Sequence, residues 1–202
     1  MEKIVAKNLL EIGAVFLRPD EPFTWASGIK SPIYCDNRLT LSEPKVRDII
    51  ENALAETIKE NFPICEKLMG TSTAGIAHAA ITGHIMNLPV GYVRASSKDH
   101  GRNNKIEGKL NKGDKVVVVE DLISTGGSSL DVVKVLQEAG ADVLGIVSIF
   151  TYNTKRANKM FSEANVKSIS LSNINVLAGV AADEGYIQKE QVEEIIKWVS
   201  EI

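Results

Sequence analysis

Residues 116–129 read VVVVEDLISTGGSS, and this stretch decides the fold of the chain. Four consecutive valines are typical of a strand that is covered on both faces of a sheet. The two glycines then break the strand, and residues 127–139 read as a helix, with Gly140 in the C-cap place. A buried strand that leads directly into a helix is the unit from which parallel α/β sheets are built.

The same alternation of short apolar strands and helices continues on both sides of this unit. We expect further strands at residues 67–69, 89–93, 143–150 and 167–171. We expect helices after Ser42, a candidate N-cap with Pro44 near the first turn, and at residues 73–86, 155–164 and about 192–199. In the helix at 73–86, the side chains expected to face inward are those of Ile76, Ala79, Ala80 and Ile81.

This order of elements predicts an α/β fold with a mainly parallel sheet flanked by helices. The length of 202 residues suits a single domain that spans residues 1–202. Sheets of this kind bind ligands beyond the carboxyl ends of their strands. The loops after Met69, Val93 and Val119 are therefore the candidate functional loops.

Composition and charge argue against several classes of partner. The net charge of −3 provides no global basic field, so we expect no nucleic-acid partner. No apolar run approaches the roughly 18 residues that a membrane helix needs, and the N-terminus lacks the layout of a signal peptide. Cys35 and Cys65 are the two cysteines, and we expect free thiols in a reducing cytoplasm.

The loop after Val119 combines two acids with small hydroxyl residues and glycines. Glu120 and Asp121 can accept hydrogen bonds from a sugar diol, and the start of the following helix carries a positive end that attracts phosphate. The residues expected to form a phosphate cup are Ser124, Thr125, Gly126, Gly127 and Ser128. Diol acceptors followed by a phosphate cup match a ribose 5-phosphate, and the alternative is an acidic surface turn before a helix.

Residues 70–77, GTSTAGIA, form a second glycine-containing loop between a strand and a helix. The glycines have the spacing of a P-loop, but Ile76 and Ala77 stand where Lys and Ser/Thr would be required, so a nucleotide triphosphatase is disfavoured. A backbone cradle for pyrophosphate remains, beside the alternative of a plain glycine turn.

A basic, glycine-containing segment follows the strand at 89–93. Its basic residues are Arg94, Lys98, Arg102, Lys105 and Lys109. A mobile cationic lid of this kind could neutralise a leaving pyrophosphate, and a solvated loop is the alternative. His100 could be charged beside phosphates, whereas His78 and His84 are expected to be partly buried or surface histidines of a helix.

Three separated motifs resemble one family of enzymes. Residues 116–129 resemble the signature of phosphoribosyltransferases that use 5-phospho-α-D-ribose 1-diphosphate (PRPP), and residues 70–77 are similar to their pyrophosphate loop. The pattern R-x-x-x-K-x-H-G…I-E-G at 94–108 looks like the catalytic loop of orotate phosphoribosyltransferases. Residues 23–38, FTWASGIKSPIYCDNR, resemble the hood segment of the same enzymes.

The resemblance implies a type I phosphoribosyltransferase-like fold with a small N-terminal hood at about residues 20–40. It implies transfer of 5-phosphoribose from PRPP to orotate, which gives orotidine 5′-phosphate and pyrophosphate in pyrimidine (UMP) biosynthesis. The implied catalytic residues are Lys98, His100 and Asp121. The implied PRPP-binding residues are Arg94, Lys98, His100, Glu120, Asp121, Leu122, Ile123, Ser124, Thr125, Gly126, Gly127 and Ser128.

The resemblance also carries expectations about cofactor and assembly. Mg²⁺ would enter with PRPP and would have no dedicated protein cage. The enzyme would be a homodimer whose lid reaches the active site of the neighbouring subunit.

The chain departs from the family pattern at the place where orotate is held. Many relatives have lysines where Ala26 and Ala95 stand, and some have an arginine where this chain reads Thr151-Tyr152-Asn153. Orotate would then rely on backbone groups of the hood and on Ser124.

Two rival functions remain open at this stage. A purine phosphoribosyltransferase is disfavoured by the hood and the K-x-H-G motif. A PRPP-sensing regulator on the same fold is disfavoured by the acidic balance and by the lack of a separate DNA-binding domain.

Overall fold

The computed structural model describes residues 1–24, 30–95 and 105–201. In chain order the elements are α1 (Glu2–Glu11), β1 (Val15–Leu17), β2 (Phe23–Thr24), β3 (Lys30–Ser31), β4 (Ile33–Cys35), a 3-10 helix (Asn37–Ser42), α2 (Pro44–Asn61), β5 (Lys67–Thr71), α3 (Gly75–Met86), β6 (Val90–Val93), β7 (Ile106–Glu107), β8 (Lys115–Ile123), α4 (Gly127–Glu138), β9 (Asp142–Thr151), α5 (Lys155–Glu163), β10 (Ser168–Asn173), α6 (Ile174–Asp183) and α7 (Lys189–Ser200). Among the described helices, none combines the length and the apolar character that crossing a membrane requires.

A six-stranded sheet in the order β10-β9-β8-β5-β6-β7 forms the centre of the molecule. Its strands are parallel except for β7, which runs antiparallel to β6. The predicted α/β fold with a mainly parallel sheet is therefore confirmed.

The four valines of β8 divide between two cores, one on each face of the sheet. Val117 and Val119 pack into the core that also takes side chains of α1, α2, α6 and α7. Val116 and Val118 pack into the core that takes side chains of α4 and α5. All four are fully buried, which explains why the strand is uniformly apolar rather than alternating.

Strand pairing extends several strands beyond their predicted ends. β8 continues to Ile123, because Leu122 pairs with Phe150 and Ile123 pairs with Thr151 of β9. Glu120 and Asp121 therefore lie within the strand and not in a loop after it. The local sequence gives no sign of this extension, because it depends on a neighbouring strand about 30 residues away.

The beginning of α2 corrects the predicted cap. Ser42 ends the 3-10 helix, and the N-cap of α2 is Glu43, whose side chain makes no capping hydrogen bond. Pro44 occupies the first helical position, as expected from its fixed φ and missing N–H.

The inward face of α3 also differs from the prediction. Ala80 is exposed, and the buried residues are Gly75, His78, Ala79, Thr82 and Gly83. His78 is fully buried rather than partly buried, with Nδ1 2.6 Å from Oε1 of Glu51 on α2. Thr82 donates its hydroxyl to the other oxygen of the Glu51 carboxylate at 2.8 Å, so this polar cluster fixes the packing of α3 on α2.

Two small antiparallel ribbons lie near the N-terminus. β1 pairs with β4, and β2 pairs with β3, within the region of the candidate hood. Residues 25–29, including Ala26, lie outside the described residues.

Candidate active site

The carboxyl ends of β5, β6 and β8 bring the candidate loops to one edge of the sheet. Gly70 pairs with Val119 of β8, and Thr71 pairs with Val93 of β6. A cavity of about 530 Å³ opens at this edge and is lined by Thr71, Ser72, Arg94, Leu122 and Ser128 together with Glu120. The strand ends therefore unite residues from three separate stretches of sequence.

Glu120 is buried, and both of its carboxylate oxygens already accept hydrogen bonds. Oε1 accepts from the Thr71 hydroxyl at 2.6 Å and from the backbone N–H of Asp121 at 3.0 Å. Oε2 accepts from the Ser129 hydroxyl at 3.0 Å. Sequence reasoning gave no role to Thr71 or Ser129, because both reach Glu120 only through the packing of β5 and α4 on β8.

The pKa of Glu120 is raised to about 7. Burial is the largest cause, because it disfavours the charged form, and contact with the carboxyl of Asp121 adds to it. The hydrogen bond from Thr71 acts in the opposite direction. Folding therefore imposes a free-energy cost on the ionised form of this side chain.

Asp121 is half-buried and sits at the junction with the N-terminal segment. Its backbone carbonyl accepts a hydrogen bond from Nδ2 of Asn37 at 2.7 Å. Its charge also contributes to the raised pKa of Cys35, for which burial is the larger cause. The residue therefore links β8 to the 3-10 helix that follows the hairpins.

A second cavity of about 470 Å³ adjoins the first at Leu122, which lines both. Its other lining residues are Phe23, Thr24, Tyr34, Cys35, Ser124 and Tyr152. The rings of Phe23 and Tyr34 lie 5.7 Å apart, and the Arg18 guanidinium lies 5.0 Å from the centre of the Phe23 ring. This largely aromatic cavity suits a flat ring.

Tyr152 lies in the segment 151–153, where the family resemblance leads us to expect an arginine. It is buried, and burial raises its pKa, so the phenol is neutral. Sequence reasoning registered only the missing arginine, and the aromatic replacement emerges from the tertiary structure.

The start of α4 has the form of a phosphate cup. Gly126 is the N-cap residue with φ of +81°, and no side chain caps the helix. Gly127 has no positive φ, and a Cβ built on it would meet no atom of the described protein within 4 Å. The backbone N–H groups at this helix start are therefore approachable by an anion.

The two apolar residues at the end of β8, Leu122 and Ile123, differ in their access to the two cavities. The side chain of Leu122 lines the cavities, whereas Ile123 is buried in the core of the sheet. Any contact of Ile123 with a ligand would have to use its backbone. Ser124 and Thr125 are partly exposed, and the Ser124 carbonyl accepts a hydrogen bond from the Thr154 hydroxyl at 3.0 Å.

The second glycine loop is shaped by close packing. A Cβ on Gly75 would lie 2.4 Å from both the Thr71 hydroxyl oxygen and the Val119 carbonyl oxygen. α3 can therefore begin directly against β5 and β8 only because residue 75 lacks a side chain. In the same loop, the Ser72 hydroxyl is buried without a hydrogen-bond partner among the described residues.

Arg94 provides a cation at the edge of the first cavity. Its backbone N–H donates to the carbonyl of Lys105 at 2.8 Å, which holds the two ends of the candidate lid together. Its Nη1 lies 3.8 Å from the Glu107 carboxylate and has no hydrogen-bond partner among the described residues. Lys98 and His100, the other predicted lid residues, lie outside the described residues.

Carboxylates line the first cavity without forming a cluster of metal ligands among the described residues. Within residues 1–24, 30–95 and 105–201, no three His, Cys, Asp or Glu side chains form a group that could hold a metal ion. Cys35 and Cys65 are free thiols.

Comparison with known proteins connects this geometry to a family. Residues 38–184 match the family model described as phosphoribosyl transferase domain. The orotate phosphoribosyltransferase of Bacillus cytotoxicus is 58% identical over 98% of this chain and 94% of its own length. That of Listeria innocua is 57% identical over 98% of this chain and 95% of its own length.

Solved structures show the same architecture. The orotate phosphoribosyltransferase of Aeropyrum pernix has a TM-score of 0.78 at 27% identity, and the match covers 91% of this chain and 99% of that one. The UMP synthase of Leishmania donovani has a TM-score of 0.84 at 24% identity; the match covers 98% of this chain but only 42% of that longer protein. The fold is therefore shared with enzymes that differ widely in sequence.

The pKa of Glu120 predicts a pH-dependent cost of stability. Its ordinary value is 4.5, so between pH 4.5 and about 7 the folded state holds a proton that the unfolded state releases. Glu120 should therefore lower the free energy of unfolding as the pH rises through this window. Chemical denaturation at a series of pH values should show that the free energy of unfolding of Glu120→Gln falls less between pH 4.5 and about 7 than that of wild type. Equal pH dependence in the two proteins would contradict the raised pKa.

The two glycines of the phosphate cup should respond differently to alanine. Gly126→Ala places a side chain at positive φ, 3.1 Å from the Phe161 ring, and should lower the unfolding free energy by about 1 kcal/mol or more. Gly127→Ala should fold as well as wild type but weaken PRPP binding at least about tenfold, because its methyl enters the space left for phosphate. Thermal unfolding and calorimetric titration with PRPP separate the two effects. Unchanged PRPP affinity in Gly127→Ala would place the phosphate elsewhere.

Proposed function

This chain belongs to the orotate phosphoribosyltransferase family, and we propose that the two cavities joined at Leu122 form its active site. The enzyme transfers 5-phosphoribose from PRPP to N1 of orotate in pyrimidine biosynthesis. The bond from C1′ of ribose to pyrophosphate breaks, pyrophosphate leaves with the bonding electrons, and N1 of orotate loses its proton as it bonds to C1′. The observation that carries the site assignment is the uncapped start of α4 beside two carboxylates at the end of β8.

The 5′-phosphate of PRPP would lie on the start of α4. The backbone N–H groups there point away from the helix, and the positive end of the helix dipole favours an anion. The hydroxyls of Ser124, Thr125 and Ser128 would add donors around the phosphate. The open space beside Gly127 supports this placement, because a phosphate must approach the backbone closely.

Asp121 would hold the ribose hydroxyls and stabilise the reacting centre. The ribosyl group develops oxocarbenium character as the bond to pyrophosphate breaks, as in glycoside cleavage. A carboxylate fixed beside this centre favours the positive charge without reorganising. The hydrogen bond from Asn37 to the Asp121 backbone supports the required fixed position.

Pyrophosphate would leave between the loop at residues 70–75 and the lid. Arg94 carries a guanidinium nitrogen that no described residue hydrogen-bonds, and Ser72 carries a hydroxyl in the same condition. Both line the first cavity, where they could meet the oxygens of the leaving group. Lys98 and His100 would complete this neutralisation from the lid.

Orotate would occupy the aromatic cavity under the hairpins. Phe23, Tyr34 and Tyr152 offer apolar ring surfaces for its flat face. Ser124 lines the same cavity and would supply a polar contact together with backbone groups of the hood at about residues 20–40. The junction of the two cavities at Leu122 would bring N1 of orotate toward C1′ of ribose.

Magnesium would enter with PRPP. Mg²⁺ commonly takes one or two carboxylates together with substrate phosphates and water, and the carboxylates at the end of β8 are oxygen donors of this kind. Glu120 and Asp121 would help to hold the ion, which would supply positive charge to offset the negative charge of the leaving pyrophosphate.

We place the enzyme in the cytoplasm as a homodimer with PRPP and orotate as its partners. The two free thiols suit a reducing compartment. The dimer follows the family expectation that the lid of one subunit closes over the site of the other.

Orotate-dependent release of pyrophosphate from PRPP tests the assignment directly. Wild type should release pyrophosphate with orotate and not with adenine or guanine.

Asp121→Asn should reduce turnover at least about tenfold, because it removes a charge that stabilises the transition state. Asp142→Asn, at the exposed start of β9 and outside both cavities, is a matched acid-to-amide control and should retain most of the activity. Wild-type turnover in Asp121→Asn would remove the role given to Asp121.

Subunit mixing tests whether the lid acts across a dimer. Lys98→Ala and Asp121→Asn are each expected to be inactive as pure dimers. If the lid acts in trans, a mixed dimer contains one site with both defects and one intact site. Random exchange makes about half of the dimers mixed, so about a quarter of wild-type activity should return. If exchange is verified and activity stays at the level of the pure variants, each lid serves its own subunit.

A further inference from the structure

The Glu120 carboxylate joins three elements of the active site. Through Thr71 it contacts the last residue of β5, where the pyrophosphate loop begins. Through Ser129 it contacts the first turn of α4, which follows the 5′-phosphate loop. Its own backbone belongs to β8, which pairs with β5 in the sheet and precedes α4 in the chain.

The hydroxyls at both ends of this connection are buried. Thr71 is 4% exposed and Ser129 is 1% exposed, so neither is a surface group that finds an acid by chance. Their hydrogen bonds to Glu120 take up one contact on each carboxylate oxygen, and the Asp121 N–H takes up another. The Glu120 carboxylate lines the first cavity and is at the same time held by hydroxyls of β5 and α4.

PRPP requires the two loops to keep a set separation. Its 5′-phosphate and its pyrophosphate are attached to one ribose ring, so the distance between their binding sites is limited by the substrate. Displacements of about 1 Å can reduce catalysis about a hundredfold when they misplace reacting groups. A direct connection between the loops would prevent such displacements.

We infer that Glu120, Thr71 and Ser129 form a positioning bridge that holds the pyrophosphate loop and the 5′-phosphate loop at the separation that PRPP needs. This inference rests on the proposed function. It gives Glu120 a positioning role, exerted through the two buried hydroxyls, that Asp121 does not share.

The packing of α3 supports the bridge from the side of the pyrophosphate loop. Gly75 brings the start of α3 so close to the Thr71 hydroxyl that a Cβ would lie 2.4 Å from it. The same hydroxyl lies 3.4 Å from the Val119 carbonyl. Thr71 is thus enclosed by β8 and α3, and its contact with Glu120 transmits the position of the whole loop.

Two conservative substitutions break the bridge at either end. Thr71→Val keeps the shape and removes the hydroxyl, and Ser129→Ala removes the other donor. Each should lower kcat/KM for PRPP by about tenfold or more while the protein stays folded. Thr71→Ser retains the hydroxyl and should stay within about threefold of wild type.

A matched control removes a buried hydroxyl elsewhere. Ser172 on β10 is fully buried, and its hydroxyl has no hydrogen-bond partner among the described residues. Ser172→Ala should leave both kcat and KM unchanged. Melting temperatures measured for all variants separate lost stability from lost positioning.

The double variant Thr71→Val/Ser129→Ala provides the decisive measurement. If both hydroxyls act through one bridge, removing the second hydroxyl adds little to the loss. The kcat/KM of the double variant for PRPP should then stay within about twofold of that of the less active single variant. Independent losses that multiply would overturn the bridge. Single variants within about twofold of wild type would overturn it as well, and would return Glu120 to direct binding of ribose.

Binding of PRPP without orotate separates this inference from the assignment of the base. Calorimetric titration should show weaker PRPP binding in Thr71→Val and Ser129→Ala and unchanged binding in Ser172→Ala. If wild type fails to use orotate while this pattern holds, the bridge stands and the choice of base is wrong. Equal PRPP affinity in all of these proteins would contradict the bridge.

Discussion

The pairing of β8 with β5 on one side and β9 on the other is the constraint on which the site depends. It fixes where Val119 ends the fully buried part of the strand and where Glu120 and Asp121 begin. It also sets the height at which the loops after β5 and β8 leave the sheet, so that residues far apart in sequence line one cavity. A slip in the register of this strand would move its valines between the two cores and carry Glu120 away from Thr71 and Ser129.

This arrangement places a destabilising group in the proposed active site. Burial raises the pKa of Glu120, so keeping the carboxylate ionised near neutral pH costs folding free energy. The cost is offset by the apolar burial of the same strand, whose four valines are fully enclosed. Stability and function are thus contributed by neighbouring residues of a single element.

The sequence was sufficient for the parallel sheet because its strands are short apolar runs separated by glycine-containing turns. The sequence pattern did not predict α6, because its residues are mostly apolar and give no polar face. It did not predict α1 either. The candidate loops could be found because their acids, hydroxyls and glycines are contiguous at 120–128. The contacts of Thr71 and Ser129 with Glu120 and the place of Tyr152 in the second cavity could not, because they depend on tertiary packing.

The antiparallel strand β7 closes one edge of the sheet with only two residues. It approaches β6 so closely that a Cβ on Gly91 would lie 2.7 Å from the Glu107 carbonyl oxygen. Long, open strand edges recruit strands from other molecules, whereas very short ones do so poorly. Because β7 is so short, this edge of the sheet offers little template for edge-to-edge aggregation. A longer and flatter strand at the same position would remove this protection.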